Sequence, residues 1–123
     1  MNAISLTLDA LEASANLTTL VGTRIYLNQL DQAEDLPQIV LTDISDTPIN
    51  DLSGEANTYN ERIQIDVHST TYSQAKSITD EVRTALSAAT TFSAIRQNTQ
   101  KTTDLETNIE RWISDYSIWY TTT

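Results

Sequence analysis

The only histidine, His68, stands two residues from Asp66 in a run that alternates like a strand, so both share one face. An imidazole beside a carboxylate can act as a base held by an orienting acid. Nothing in the sequence completes that pair: there is no serine-centred elbow, no glycine-rich phosphate loop and no His-x-x-x-His spacing. It reads as a solvated pair at an exposed sheet edge. Carboxylates also gather, with Asp104, Glu106 and Glu110 in one place and Asp43 and Asp46 in another. Such groups can hold Mg²⁺ or Ca²⁺, but neither has the glycine-centred spacing of a calcium loop, and they read as solvated turns and strand ends. Two glycines in 123 residues leave little backbone suited to cradling a phosphate. The sequence predicts no catalytic residue, no metal ligand and no cofactor.

The elements that carry these residues follow from periodicity. Ile4, Leu8, Leu11 and Ala15 form one stripe of an amphipathic helix, with Asp9, Glu12 and Ser14 facing out. Leu17 to Val21 reads as a short turn closed by Gly22, and Arg24 to Tyr26 as a short extended piece. After a polar stretch from Asn28 to Asp35, Pro37 fixes the entry to a strand from Gln38 to about Ile44. Ser45 to Asn60 is rich in Asp, Asn, Ser, Thr, Pro and Gly and reads as a long loop.

The run from Glu61 to Ser69 alternates, with Ile63, Ile65 and Val67 inward and Arg62, Gln64, Asp66 and His68 outward. Thr71 to Gln74 has the form of a capping box, opening a helix whose stripe is Ala75, Ile78, Val82, Leu86 and Ala89. A weaker strand is predicted from Phe92 to about Gln100. The last strand, Ile109 to Thr121, places Trp112, Ser114, Tyr116, Ile118 and Tyr120 on one face. The order is α-β-β-α-β-β, which predicts an α+β fold: an antiparallel sheet of about four strands with two main helices on one face.

Length and charge exclude several functions. At 123 residues the chain reads as one domain, able to bury roughly two-thirds of its unfolded surface. It has 7 Lys+Arg against 17 Asp+Glu, a net charge of −10. Binding of nucleic acid by counterion release needs a basic surface, which this composition does not predict. There are no cysteines, hence no disulfides and no thiolate metal site. The N-terminal residues lack the basic segment of a signal peptide, and no apolar run approaches the ~20 residues of a membrane span. A soluble protein made in the cytoplasm is expected.

Two regions read as contact surfaces. On the outer side of the last strand, Arg111, Asp115 and Ser117 are polar, but Ile113 and Trp119 break the pattern. An outward Trp on a terminal strand is covered by something, either a helix of the same chain or another subunit. In the 45–60 segment, Ile49 and Leu52 are apolar islands. The segment reads equally as a flexible surface loop and as an arm that orders against a partner.

The landmarks in order are the N-terminal amphipathic helix, LVGTRIY (Leu20–Tyr26) and LPQIVLTDIS (Leu36–Ser45). ERIQIDVHSTTYSQAKSITDEVRTAL (Glu61–Leu86) and RWISDYSIWY (Arg111–Tyr120) follow. This set resembles the tail completion proteins of long-tailed bacteriophages, also called tail-to-head joining or tail terminator proteins. Two positions depart from the family pattern: Gln38 follows Pro37 where relatives commonly have tyrosine, and Asp104 to Asn108 lacks the usual proline and glycine.

The resemblance implies a structural, non-catalytic virion protein spanning residues 1–123 as one tail-completion domain. It implies a homo-hexameric ring at the head-proximal end of the tail, which stops polymerisation of the tail tube and joins tail to head. The implied partners are its own copies, the tail tube protein and the head-side connector or stopper. DNA would pass through the lumen without specific binding, and no membrane is involved. The implied location is the tail and neck of the virion, with host cytoplasm during assembly. The alternatives are another neck component (a head-side stopper or adaptor), a small binding module using the 45–60 segment, or a small enzyme using His68 and Asp66.

Overall fold

Alternation in the last strand dictates how the layers stack. In the computed structural model, residues 2–27, 36–51, 54–104 and 108–121 are described, with 46–51, 54–57 and 104 described by their backbone alone. The elements are α1 (Ala3–Glu12), α2 (Ala15–Val21), β1 (Ile25–Leu27), β2 (Gln38–Asp51), β3 (Gly54–Ser69), α3 (Tyr72–Ser87), β4 (Ser93–Asp104) and β5 (Ile109–Thr121). The strands form one sheet in the order β1-β2-β3-β5-β4. Along β5, Trp112, Ser114, Tyr116, Ile118 and Tyr120 are buried, while the residues between them are not. They face α1 and α3, which pack on one side of the sheet; α2 packs against both.

The core is built from those facing stripes. Leu11 of α1, and Ala75, Ile78 and Val82 of α3, meet Ile39, Leu41, Ile63, Ile65 and Val67 of the sheet. Each of the Leu, Ile and Val side chains contributes about 1.5–3 kcal/mol when fully buried. Local signals start the helices. Thr71 accepts from the Gln74 amide at 3.1 Å, as the sequence predicts. The box is not closed by Gln74, whose side chain instead accepts from the Ser69 hydroxyl at 2.6 Å. A complete capping box, Asn2 with Ser5, opens α1. Ser14 caps α2, so the stripe predicted through Ala15 breaks at Ala13 and continues in a second helix. Gly22 ends α2 at φ 61°, ψ −128°, where a side chain would strain the backbone.

The predicted class, α+β with helices on one face, holds; three details differ. Among the described residues there are three helices rather than two main ones, and five strands rather than about four. The extended piece at Arg24 to Tyr26 becomes β1, which pairs in parallel with β2, Ile25 opposite Ile39. The sheet is therefore mixed and not wholly antiparallel.

The third difference lies in the segment read as a long loop. β2 and β3 continue as a hairpin, through Pro48 opposite Tyr59 to Asp51 opposite Gly54. Two register shifts, at Asp43/Ser45 and Pro48/Asn50, interrupt the alternation that would have marked it as strand. Pro48 is tolerated where β2 has no second partner among the described residues, since β1 pairs with residues 39–41. Among the described residues β5 pairs with β3 as far as Thr58 opposite Thr121.

Candidate assembly surface

Three features remain once the core is accounted for: a buried polar pair, an exposed apolar strip and a cationic groove. The buried pair is the one whose spacing suggested chemistry. His68 and Asp66 are 3% and 5% exposed, which corrects the expectation of a solvated pair at a sheet edge. The physical reason is position: β3 is the middle strand, flanked by β2 and β5. His68 Nε2 lies 3.0 Å from Asp66 Oδ1, and Arg111 on β5 donates to Asp66 Oδ2 at 2.6 Å. Burial alone would raise the Asp66 carboxyl. The contacts to His68 and Arg111 act the other way and prevail, holding it below its ordinary value of 3.8.

This arrangement fastens β3 to β5. None of the described cavities is lined by His68 or Asp66. Among the described residues no cluster of three or more His, Cys, Asp or Glu is placed to hold a metal. Asp43 is exposed, and Glu110 is engaged by the Thr103 hydroxyl at 2.7 Å. Glu106 lies outside the described residues, and Asp46 and Asp104 are described by backbone alone.

The apolar strip lies on the sheet face away from the helices. Trp119 is 38% exposed and Ile95 of β4 is 52% exposed. Ser93 stands opposite Trp119 and Ile95 opposite Ser117, so Trp119 and Ile95 are diagonal neighbours on that face. Ile113 is on the same face and half-buried. Trp119 thus stands on the face opposite the described helices of its own chain. Ile49 falls at a register shift in β2 and is described by backbone alone; Leu52 lies outside the described residues. Ile95 was missed in the sequence because its strand is too polar for alternation to stand out.

The groove lies between α3 and β4, about 410 Å³ in volume, and is lined by Lys76, Arg83, Arg96 and Lys101 with Asp80 and Trp112. Lys76 and Arg83 are seven residues apart and share a helix face, a visible signal. Arg96 and Lys101 have opposite parity and should face opposite ways. A bulge between Arg96 and Asn98 restores them to one face, opposite Tyr116 and Trp112 respectively. Sequence spacing alone could not reveal that.

The model of the family described as tail completion protein gp17 matches residues 7–121. The chain belongs to this family. As a tail completion protein it is a structural component of the virion, placed in the tail and neck where tail and head join. No curated protein matches the chain. Among solved structures, a chain from the virion of a native gene transfer agent particle overlays it with a TM-score of 0.75 at 17% identity, covering 94% of this chain and 92% of that one. The gp17 protein of bacteriophage SPP1 overlays it with a TM-score of 0.61 at 23% identity, covering 98% and 88%. At these identities the likeness is one of fold. For a tail completion protein the features that count are surfaces, and the apolar strip and the groove are the described ones.

Proposed function

We propose that the chain forms a homo-hexameric ring at the head-proximal end of the phage tail, where it stops polymerisation of the tail tube and presents a surface to the head-side connector. The observation that carries this reading is the family match over residues 7–121. The exposed strip of Trp119 and Ile95 supports it, because large apolar groups on an outer sheet face favour a subunit or partner interface. On this reading residues 1–123 act as one tail-completion domain, assembled in the host cytoplasm with the tail tube protein and the connector or stopper as neighbours.

The ring would have no catalytic step. The buried His68–Asp66 pair and the partly exposed Arg111 have the form of a structural tie, held by their own strands. DNA would cross the lumen without specific binding, since a chain of net charge −10 repels a polyanion over about 8–10 Å.

Electron microscopy of particles made by a phage or induced prophage lacking this gene tests the reading. Tails of irregular, excessive length beside filled, tailless heads are expected. Tails of normal length left unattached would point instead to a head-side stopper or adaptor. Normal-length tails joined to heads would overturn the proposal.

A further inference from the structure

Four of the seven cations of this chain line one groove. Lys76 and Arg83 come from α3, Arg96 and Lys101 from β4, and Asp80 is the one carboxylate among them. Four cations less one carboxylate leave +3 in the groove, so the remainder of a chain of −10 carries −13. Asp80 is shared by Lys76 at 2.9 Å and Arg83 at 3.1 Å. Arg96 and Lys101 have no carboxylate partner among the described residues. Arg96 meets only the Thr99 hydroxyl at 3.4 Å, and the Lys101 ammonium sits 4.4 Å from the centre of the Trp112 ring. An acidic protein that gathers its cations on one flank, with two of them unpaired, has built a receptor for negative charge.

The opposite half of the sheet supplies that charge. Between Arg24 and Arg62 the sequence contains no Lys, Arg or His. This stretch includes the β2–β3 hairpin, which carries Asp46, Asp51 and Glu55 and runs on past the last described rung with β5. The hairpin belongs to β2 and β3, whereas the groove is bounded by β4 at the far edge of the sheet. A closed ring repeats one heterologous contact, which needs two different, complementary patches on separate flanks of each subunit.

We propose that the groove between α3 and β4 receives the acidic β2–β3 hairpin of a neighbouring copy. The inference rests on the ring reading given above and adds the two surfaces that meet in it. Copies of a −10 chain repel one another, and opposed local charges offset that repulsion only in the head-to-tail orientation. The same charges select the partner and its register.

The test is charge reversal with rescue, in a phage whose own gene is deleted and supplied by the variant. Arg96→Glu with Lys101→Glu is expected to lower the yield of joined particles by at least about tenfold, since like charges then face each other. Adding Asp51→Lys and Glu55→Lys to the same chain is expected to restore it. No loss on reversing the groove would overturn the proposal. Loss without rescue, in variants whose circular dichroism and melting match the parent, would assign the groove to another polyanion such as DNA and overturn it equally.

Should the reversed variants fail to fold, cysteine cross-linking decides, because the chain has no cysteine of its own. Asp51→Cys with Arg96→Cys should give a covalent ladder in assembled tails under oxidising conditions, and each single variant should not. Tails of normal length with no ladder would remove the groove assignment while leaving the terminator reading intact. That reading stands or falls on the deletion phenotype.

Discussion

The Tyr120 hydroxyl donates to Glu61 Oε2 at 2.5 Å, and the same oxygen accepts the Ala3 amide at 3.0 Å. One buried carboxylate thus joins the end of the last strand to the first turn of α1, where unpaired amides and the helix dipole favour a negative group. Tyr59 stacks on Tyr120 at 5.3 Å between ring centres and keeps the hydroxyl in place.

Glu61→Ala is expected to cost about 2–4 kcal/mol, because it removes the buried acceptor shared by the Tyr120 hydroxyl and the Ala3 amide. Tyr120→Phe should cost about 1–2 kcal/mol, and the double variant less than the sum of the two. Urea midpoints of the three variants check this. Strict additivity would mean that the two residues do not act through one contact.

Glu61 also shows what a sequence exposes and what it hides. It has the parity of Ile63, Ile65 and Val67, so its inward direction was legible, but its partner Ala3 is 58 residues away and no local pattern links them. The span of β5 and the cap and stripe of α3 were legible because each is a local signal repeated along one element. The parallel β1–β2 pairing was not, since three residues carry too little alternation. The hairpin was hidden by two register shifts among polar residues, and the groove by the bulge that returns Arg96 and Lys101 to one face. Burial of His68 depended on its strand being central, a property of the whole sheet. The outward direction of Trp119 was legible; that the described helices all lie on the other face was not.

Asp66 gives the fold a defined acid limit. Its carboxyl is held below 3.8 in the folded chain, so its contribution to stability is complete above that value and is lost as pH falls through the lowered folded value. Asp66→Asn should destabilise the chain at neutral pH by about 2–3 kcal/mol, less than a fully buried pair because Arg111 is partly exposed. The gap between parent and variant should then close at pH values below 3.8. Urea midpoints followed from about pH 6 to about pH 2 check this, and a gap constant with pH would show that Asp66 does not titrate with folding.

Tyr116 is fully buried in the core, and its hydroxyl has no hydrogen-bond partner among the described residues. Burial also raises the pKa of its phenol. A buried hydroxyl without a partner costs about 1–3 kcal/mol, so Tyr116→Phe should leave stability unchanged or raise it by up to about 1 kcal/mol. Thermal melting of the purified variant measures it. A loss larger than about 1 kcal/mol would mean that the hydroxyl is satisfied in solution.

Trp119 and Ile113 separate folding from assembly. Trp119 is on the sheet face away from the helices and 38% exposed, so replacing it should remove little core packing. Trp119→Ala is expected to change the melting temperature of the isolated subunit by only a degree or two, in line with substitutions at exposed sites. If the strip is covered by a neighbour in the particle, the same substitution should weaken assembly by about 2 kcal/mol or more, the scale of a central aromatic in an interface. Ile113, already half-buried in the subunit, should show both effects at smaller assembly cost. The paired readout is the melting curve of each purified variant and its yield of joined particles in the deletion background. A Trp119 variant that melts early and joins normally would place that side chain in the fold and remove it from the interface.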